Sequence, residues 1–365
     1  MAARRKKVMT RAYRINLNDI NRGKAERLKS FVIKCREITQ YFVDLFWQRK
    51  DFTGKLADLP TVHSAVKRFG ITTRLAQALA KQAKEIVRSQ HKKPVKRKPK
   101  VRKHIVTLYY HFVTLEKGKG SFDWVVKFIG SGAPRLIVPV KSTQPLNQKL
   151  QDGWKLSKTL RLGMQGERLY LDFLVEKEIP TPKTEGFLVG MDSNYKNGLV
   201  FSDGQTTGDA LYQRTQQFAK RQKHTRDEIK SLLGAAFKQI DFSQIKTVVV
   251  EDLKKVKHGK RGTFSRVFNR RLFHWLYKYS ETLLLRKCEE LGIEVIRKNP
   301  WKTSQFCRHC FRWDRRNRKG DKFLCVNCGQ AEHADFNASK NLELLGLLGF
   351  YGIHDLQSSK CQSFE

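Results

Sequence analysis

Two CxxC pairs constrain the fold of this chain more than any other feature of its sequence. The first pair is Cys307 and Cys310, the second is Cys325 and Cys328, and 14 residues lie between the pairs. Two such loops can place four thiolates around one tetrahedral ion, so the spacing predicts a zinc ribbon that takes its folding energy from the metal. Two redox dithiols are the alternative. Because four thiolates leave no open position for water, we expect a structural zinc.

The other cysteines, Cys35, Cys288 and Cys361, are scattered singly. This arrangement does not fit a secreted disulfide framework, and it fits metal ligation in a reducing compartment. The basic N-terminus has no apolar stretch of the kind that a secretory signal needs, so we expect a cytoplasmic protein. His309 and His333 lie near the CxxC pairs, but we assign neither as a zinc ligand. Two interpretations of His333 remain open: a solvated loop residue, or a residue that contacts the substrate.

The charge of the chain indicates a polyanionic partner. Its 365 residues include 73 Lys and Arg against 34 Asp and Glu, which gives a formal net charge of +39. A chain this basic repels itself unless a polyanion lies against it, and nucleic acid is the commonest such partner. A membrane surface is the rival interpretation. We do not expect it, because no run approaches the length of a membrane span and the basic residues do not collect on one amphipathic helix.

One run of positive charge is a candidate nucleic-acid contact. Residues 91–104, HKKPVKRKPKVRKH, contain eight Lys or Arg and two prolines, so they cannot form a helix interior. The run is either a solvated linker or a set of phosphate contacts, and the net charge favours the second interpretation. The candidate contact residues are Lys92, Lys93, Lys96, Arg97, Lys98, Lys100, Arg102 and Lys103.

The first half of the chain combines helices with a small β domain. Residues 7–17 are typical of a strand, and the periods over 22–50 and about 72–90 predict two helices. Between about 105 and 178 the period changes to two, which predicts short strands in a barrel or a sandwich. The Pro- and Thr-rich stretch 178–186 is the predicted domain boundary.

The second half alternates strands and helices. The predicted strands are 187–192, 199–204, 246–252 and 293–299, and the predicted helices are about 209–237 and 266–291. This order predicts an α/β sheet with helices on both faces. The aromatic stretch LFHWLYKY, residues 272–279, is either helix core or a base-stacking surface, and its helical spacing favours core.

Three acidic residues stand where such a fold would bring them together. Asp192 and Glu251 end apolar strands, and Asp335 precedes the apolar sequence FNASKNLELLGLLGF, a predicted helix. The carboxyl ends of neighbouring strands in an α/β sheet converge on one crevice. Asp252 points to the opposite face from Glu251, since side chains alternate along a strand.

Taken singly, each of these residues is more simply a surface carboxylate. Together on a strongly basic chain, they predict a cluster of like charges that needs divalent cations. Mg²⁺ prefers oxygen ligands, and two such ions activate water and hold the leaving oxygen in phosphodiester cleavage.

Four stretches carry a resemblance to a known family. They are GMDSNYKNGLV, VVVEDLKKVK, NPWKTSQFCRHC and CVNCGQAEHADFNASKNLE. They resemble the RuvC-like nuclease core and zinc ribbon of the TnpB (OrfB) transposon-encoded proteins, relatives of the compact type V CRISPR nucleases. The likeness is specific over residues 187–202 and 246–342. Over residues 1–180, the predicted elements are compatible with the family but do not match it specifically. It implies that Asp192, Glu251 and Asp335 are the catalytic, magnesium-binding triad, with Asp192 bridging both ions.

The resemblance also implies a multidomain α+β and α/β architecture. A wedge-like N-terminal β-barrel carries a helical insertion, and an RNase H-like RuvC α/β domain with an inserted zinc ribbon follows it. The implied segments are 1–20 (first barrel strand), 21–95 (helical recognition insert), 96–180 (barrel), 181–300 (nuclease core), 301–332 (zinc ribbon) and 333–365 (final helix and tail).

The function implied by the resemblance is RNA-guided cleavage of DNA. The protein would bind a guide RNA from its own transposon end and check a short motif beside the double-stranded target with its N-terminal domains. It would then cut both strands with one Mg²⁺-dependent site, in the cytoplasm of a prokaryote and at its nucleoid.

Two other functions remain open at this point. A nuclease-inactive, RNA-guided repressor would use the same fold, but an intact triad argues against it. A DNA transposase would use related metal chemistry. The order Asp, Glu, Asp with a ribbon before the last member fits RuvC-like nucleases better.

The sequence departs from the family pattern at three places. Asn194 stands where the family usually has glycine, and Phe311 replaces the glycine after the second cysteine of the ribbon. Asparagine tolerates the left-handed backbone region, so we expect the turn after Asp192 to survive. The segment between Asp192 and Glu251 is also shorter than expected, which indicates a trimmed helical hairpin.

Overall fold

The chain divides into two compact units. The structure, a computed structural model, describes residues 8–194, 198–208, 213, 222–253 and 277–361. The first unit is Met1–Glu178 and the second is Ile179–Glu365. None of the described helices combines the length and apolar character that crossing a membrane requires.

Three helices of the first unit are limited by capping residues. They are α1 (Arg22–Gln48), α2 (Leu59–Phe69) and α3 (Thr73–His91). The side chains of Asn21, Asp58 and Thr72 each accept a hydrogen bond from a backbone N–H of the first turn. Gly70 ends α2 at a φ of 57°, in the left-handed region. The predicted helices α1 and α3 are confirmed. Helix α2 was not predicted, although Asp58, Pro60 and Gly70 mark both of its ends.

The strands of the first unit form two antiparallel sheets. They are β1 (Val8–Asn16), β2 (His104–Leu108), β3 (Val113–Lys117), β4 (Trp124–Phe128), β5 (Leu136–Val140), β6 (Lys155–Gln165) and β7 (Arg168–Glu178). One sheet has the order β1-β7-β6-β2, and the other has the order β3-β4-β5. A short helix that was not predicted, α4 (Gln144–Gln151), follows β5.

The predicted closed β-barrel is not found among the described strands of this unit, since their hydrogen bonds join them into two separate sheets. The alternating pattern is unbroken over residues 105–115 and by itself predicts one strand there. A turn breaks it, in which the Phe112 N–H donates to the carbonyl of Tyr109. The chain thereby leaves the first sheet at β2 and enters the second sheet at β3. Alternation predicts a strand, but it does not say which neighbour the strand pairs with.

The second unit has a mixed four-stranded sheet. Its strands are β8 (Phe187–Ser193), β9 (Leu199–Phe201), β10 (Ile245–Glu251) and β11 (Glu294–Lys298). The order is β11-β10-β8-β9; β10 is parallel to both β8 and β11, and β9 is antiparallel to β8. All four predicted strands are therefore present, and a mixed α/β fold is confirmed.

Helices cover both faces of this sheet. The helices of this unit are α5 (Gln222–Gln239), α6 (Tyr277–Leu291), α7 (Ala334–Leu347) and α8 (Ile353–Cys361). On one face, Met191 and Val250 share a core with Phe237 of α5 and Leu284 of α6. Helix α7 packs on the other face. The N-terminal parts of the helices predicted at 209–237 and 266–291 lie outside the described residues.

A small three-stranded sheet lies between β11 and α7 in the sequence. Its strands are β12 (Arg318–Lys319), β13 (Lys322–Leu324) and β14 (Ala331–His333), paired antiparallel. We call residues 306–333 the cysteine ribbon. Its last strand runs directly into α7, so the ribbon fixes the start of that helix.

Candidate active site and metal centre

Two of the predicted carboxylates end neighbouring parallel strands. Val250 of β10 lies opposite Met191 of β8, so Asp192 and Glu251 are the next residues of the two strands. Neighbouring strands are about 4.8 Å apart. Because side chains alternate along a strand, Asp192 and Glu251 lie on the face opposite the α5 and α6 core.

Helix α7 approaches that face through Gly190. A Cβ atom built on Gly190 would lie 1.9 Å from the carbonyl oxygen of Ser339, so only glycine allows the contact. Further along the helix, a Cβ on Gly346 would lie 3.1 Å from Leu188 Cδ2, two residues before Gly190 on β8. The helix therefore runs antiparallel to β8 and β10, with its N-terminus at the end where Asp192 and Glu251 stand.

The third carboxylate lies in the first turn of this helix. Asp335 comes one turn before Ser339, and its side chain is buried, with 3% of the residue surface exposed. His333 is the N-cap of α7, and its Nδ1 accepts a hydrogen bond from the Asp335 N–H at 3.3 Å. The fold thus brings Asp192, Glu251 and Asp335 to one end of one face of the sheet.

The three carboxylates influence one another electrostatically. Burial, followed by the negative charge of Asp335, raises the pKa of Asp192 to about 7. Burial, followed by the charge of Asp192, raises the pKa of Glu251 well above its ordinary value. A buried carboxylate with like charges nearby holds its proton until a cation replaces it. The site therefore favours multivalent cations.

Three polar residues contact the carboxylates, and two of them were not predicted. Arg318 Nη2 lies 3.4 Å from Asp335 Oδ1, and the Thr303 hydroxyl donates to Glu251 Oε1 at 3.5 Å. Asn194 Nδ2 donates to Asp192 Oδ2, also at 3.5 Å. Thr303 belongs to the stretch NPWKTSQ, which matched the family but had no derived role. Arg318 had no signal, since it is one of many ribbon arginines.

The donor set is of the kind that hard cations take. The three carboxylates supply oxygen ligands only, as Mg²⁺ prefers.

The four cysteines of the CxxC pairs form the second candidate metal centre. Their sulfur atoms all lie within 4.8 Å of one another. Cys307 Sγ is 3.5 Å from Cys328 Sγ, and Cys310 Sγ is 3.5 Å from Cys325 Sγ. Zinc–sulfur bonds of about 2.3 Å in a tetrahedron give sulfur separations of about 3.8 Å. Since these close contacts join one pair to the other, the arrangement resembles a four-thiolate metal site more than two separate dithiols.

Both cysteine loops adopt the same turn despite the missing glycine. The N–H of Phe311 donates to the Cys307 carbonyl at 2.8 Å, and the N–H of Gly329 donates to the Cys325 carbonyl at 2.9 Å. Phe311 has a φ of 58°, in the left-handed region that glycine usually supplies, and Gly329 has a φ of 77°. The turn geometry that the Phe311 departure put in question is therefore kept, with strain at Phe311.

The predicted phosphate-contact residues lie in an exposed connection of the first unit. Residues 92–103 join α3 to β2 without helix or strand, and all eight predicted Lys and Arg side chains are exposed. Lys98 Nζ lies 3.0 Å from Asp44 Oδ1, and Gln40 Oε1 accepts from the Val101 N–H. The run is thus anchored to α1 by its backbone while its charges face solvent.

Most of the aromatic stretch 272–279 lies outside the described residues. Of its members, Tyr279 is described, and it packs against Ile229 and Leu233 of α5. This contact agrees with the interpretation of that residue as helix core.

The comparisons with known proteins agree with this arrangement. Residues 277–342 match the family profile described as Cas12f1-like, TNB domain. A curated relative, the CRISPR-associated endodeoxyribonuclease Cas12f1 of Sulfoacidibacillus thermotolerans, is 34% identical over 99 residues, which are 27% of this chain and 22% of that protein. The matched stretch therefore spans only about a fifth of the relative.

One solved structure shows a similar fold over most of the chain. A cryo-EM structure of a Cas12f1–sgRNA–target DNA complex has a TM-score of 0.56 at 15% identity, covering 88% of this chain and 83% of that one. The mini-RNA-guided endonuclease CRISPR-Cas_phi3 has a TM-score of 0.48 at 10% identity, with 92% of each chain covered. The first of these establishes the fold likeness.

Over most of its length, the chain has a fold similar to that of a compact type V nuclease. More particularly, the resemblance predicted from the sequence is confirmed: the chain is similar to the TnpB-like compact RNA-guided nucleases, and to Cas12f1 in its ribbon-containing segment.

Proposed function

We propose that this protein is an RNA-guided, Mg²⁺-dependent DNA endonuclease. The observation that carries the proposal is the position of Asp192, Glu251 and Asp335 at one end of one sheet face, where burial and mutual repulsion favour multivalent cations. The matched relative is named as an endodeoxyribonuclease, which supports the same reaction.

Each member of the triad has a proposed role. Asp192 lies on β8, with Glu251 on the neighbouring strand and Asp335 on the overlying helix, and it is the proposed bridging ligand of two Mg²⁺ ions. When bound, such a pair of ions activates water and stabilises the leaving oxygen of a phosphodiester. Thr303 orients Glu251, and Arg318 offsets the negative charge at Asp335.

The cysteine ribbon is proposed to hold one structural zinc through Cys307, Cys310, Cys325 and Cys328. Four thiolates complete a tetrahedral shell, so this ion has no position for a reacting water. Its role is to fold the ribbon and thereby to fix the first turn of α7.

The partners are proposed to be a guide RNA and double-stranded target DNA. The Cas12f1 structure contains an sgRNA and target DNA, and we extend both partners to this chain.

The guide would come from a transposon end, and a wedge-like and helical N-terminal region (1–20, 21–95 and 96–180) would check a short flanking motif. The RuvC-like, RNase H-like core (181–300) and the final helix (333–365) would then cut in the cytoplasm, at the nucleoid. Exposed residues of 92–103 would contact phosphates.

The proposal is tested with purified protein, its co-purifying RNA and a plasmid that carries the matching target. We expect Mg²⁺-dependent linearisation that Asp192→Ala reduces by at least about 10³-fold, because the triad acts as a unit. Asp252→Ala is the matched control, since Asp252 lies on the other side of the strand from Glu251. A plasmid left intact by wild-type protein with every guide would contradict the proposal, and sequencing the bound RNA would identify the guide.

A further inference from the structure

Two exposed tryptophans enclose a lysine beside the carboxylate cluster. Lys302 Nζ lies 3.7 Å from the ring centroid of Trp301 and 3.0 Å from that of Trp313. The two ring centroids are 6.3 Å apart. Trp301 is 48% exposed and Trp313 is 37% exposed, so both rings present surface to solvent. We call Trp301, Lys302 and Trp313 the aromatic clamp.

Two hydrogen bonds hold the backbone that carries the clamp. The Trp301 N–H donates to Asn299 Oδ1 at 3.1 Å, and Asn341 of α7 donates to the Thr303 carbonyl at 2.7 Å. Lys302 has a φ of 63°, an uncommon conformation for a residue with a side chain. Trp313 comes from the cysteine ribbon, where it forms a backbone bridge to Phe306. The clamp is thus built from two segments that meet, with its aromatic surface outward.

The clamp is adjacent to the proposed cutting site. Lys302 directly precedes Thr303, whose hydroxyl contacts Glu251. Since consecutive Cα atoms are about 3.8 Å apart, the Cα atom of Trp301 lies within about 8 Å of the Cα atom of Thr303. A strand whose phosphate reached the carboxylates would pass the clamp within a few nucleotides.

We propose that the aromatic clamp stacks an unpaired base of the DNA strand being cut, while Lys302 contacts a neighbouring phosphate. Indole faces stack on any base, and a cation beside them attracts the backbone, which is the combination that single-strand sites use. Tryptophan is highly buried on average, as Trp154 is at 4% exposure, so two neighbouring, partly exposed indoles offer a surface that a ligand can cover. The inference rests on the proposed function, because it assumes that the polymer cut at the triad is DNA.

The first test measures binding alone. An oligothymidylate and an abasic oligomer of the same length are titrated against the full-length protein, with tryptophan fluorescence and anisotropy as readouts. We expect Trp301→Ala and Trp313→Ala each to weaken oligothymidylate binding about 5- to 100-fold, the range of one stacked base, and to leave abasic binding unchanged. Lys302→Ala should lower the salt slope by about 0.7 for both oligomers. Phe187→Ala is the matched control, because Phe187 is also exposed but begins β8 at the end away from Asp192.

One further variant and two measurements separate stacking from folding. Trp301→Phe keeps a stacking face and should restore most of the affinity, whereas loss of the ribbon would appear as a lower zinc content and a lower melting temperature. If the tryptophan variants lost affinity equally for both oligomers, or lost it for neither, the proposal that the clamp stacks a base would be wrong.

The second test measures cleavage with single abasic sites placed along the target strand. An abasic site at one position near the cut should slow cleavage by the wild-type protein. The same abasic site should not slow cleavage by Trp301→Ala any further, because the missing base and the missing indole remove the same contact. If wild-type protein cuts and no position behaves in this way, the clamp is wrong and the proposed function stands. If wild-type protein does not cut, the nuclease proposal fails, and the oligomer preference still decides whether the tryptophans stack bases.

Discussion

Asp192 and Glu251 occupy positions where a carboxylate is costly without a cation. Both lie at the end of buried strands, and both have a raised pKa because burial and neighbouring negative charge oppose ionisation. In their charged form, carboxylates at these positions contribute little to the free energy of folding. Their placement is explained by the ions they would bind, at the expense of the stability of the metal-free protein.

This cost predicts an unusual pH dependence. The unfolded pKa of an aspartate is about 3.9, and the folded pKa of Asp192 is about 7. Between these values the folded state binds more protons, so the contribution of Asp192 to stability falls as pH rises from about 4 to about 7. Asp192→Asn should remove this slope and raise stability at pH 7 by on the order of 2–4 kcal/mol, while abolishing cleavage.

The measurement is thermal unfolding of the zinc-loaded protein in Mg²⁺-free buffer at a series of pH values. Asp203→Asn is the comparison, because Asp203 follows β9 at an exposed turn and should change the curve little. A variant Asp192→Asn that is less stable than wild type at neutral pH would show that the charged carboxylate is well accommodated without metal.

The sequence was sufficient to place the triad because strand ends in an α/β sheet converge. It did not indicate Thr303 or Arg318, because their contacts depend on how the loop after β11 and the ribbon fold back on the sheet. Gly190 did have a signal that was overlooked, since a glycine inside an apolar strand often marks a close backbone approach.

At the scale of elements, the packing of α7 on β8 decides where Asp335 lies. Gly190 meets the backbone of the helix rather than a flexible side chain, so no rotamer change can make room for a methyl group. Gly190→Ala should therefore displace α7, destabilise the protein by about 1–3 kcal/mol or more, and reduce cleavage. The measurements are thermal unfolding and plasmid linearisation.

Gly234→Ala is the matched control for this change. Gly234 lies inside α5, and an added Cβ there meets nothing within 4 Å. Alanine is the better helix former, so this variant should be more stable by about 0.5–1 kcal/mol with unchanged activity. Equal behaviour of the two variants would mean that the contact at Gly190 does not position the helix.

The cysteine ribbon is the second element with a testable role. Arg308 Nη2 lies 2.9 Å from Glu332 Oε2, and Arg308 Nη1 also donates to Asn337 Oδ1 of α7 at 3.4 Å. Through these contacts the first cysteine loop is joined to the start of the helix. Cys325→Ser should therefore lose zinc, lower the melting temperature and reduce cleavage by displacing Asp335.

Cys288→Ser serves as the control, because Cys288 is a buried thiol of α6 outside the ribbon. Its replacement should leave the zinc content at that of the wild type. Full activity of a zinc-free Cys325→Ser protein would mean that α7 keeps its place without the ribbon.

Elements with strong periodicity were predictable, and pairing partners were not. The 27-residue helix α1 was expected from its apolar stripe, whereas α2 was missed because its 11 residues offered few apolar repeats. The turn at Tyr109–Phe112 was also missed. Those residues are aromatic and continue the strand pattern, so only the hydrogen bonds of the folded chain reveal the break.

For the molecule as a whole, the net charge of +39 is the main determinant of how it meets a polyanion. Each phosphate contact in duplex DNA contributes about 0.9 to the slope of log affinity against log salt, and about 0.7 in a single strand. If residues 92–103 contact phosphates, Lys96→Ala combined with Lys100→Ala should reduce that slope by about 1.4–1.8. The measurement is a filter-binding titration over a range of salt concentrations.

A double variant with the same change in charge provides the control. Lys127 lies 2.6 Å from Glu116, and Lys230 lies 2.6 Å from Asp227, so both lysines already have carboxylate partners. Their replacement by alanine should alter the slope much less. Equal slopes for the two double variants would mean that the run at 92–103 is a solvated linker.

The overall charge and the α/β half of the chain were predictable at this scale, since both follow from local patterns. The arrangement of the first unit in two sheets was not, because sheet closure depends on contacts between distant strands. The RNA guide has no physical signature in the residues. That part of the function rests on resemblance alone.

The position of the cysteine ribbon between β11 and α7 affects the order of events during synthesis. Asp192 and Glu251 leave the ribosome well before Asp335, and the ribbon emerges between them and the final helix. On the roles proposed above for the triad and the ribbon, a nascent chain would carry two of the three carboxylates and could not cut until its ribbon had folded around zinc. In a cell short of zinc, newly made protein would accumulate without an assembled cutting site.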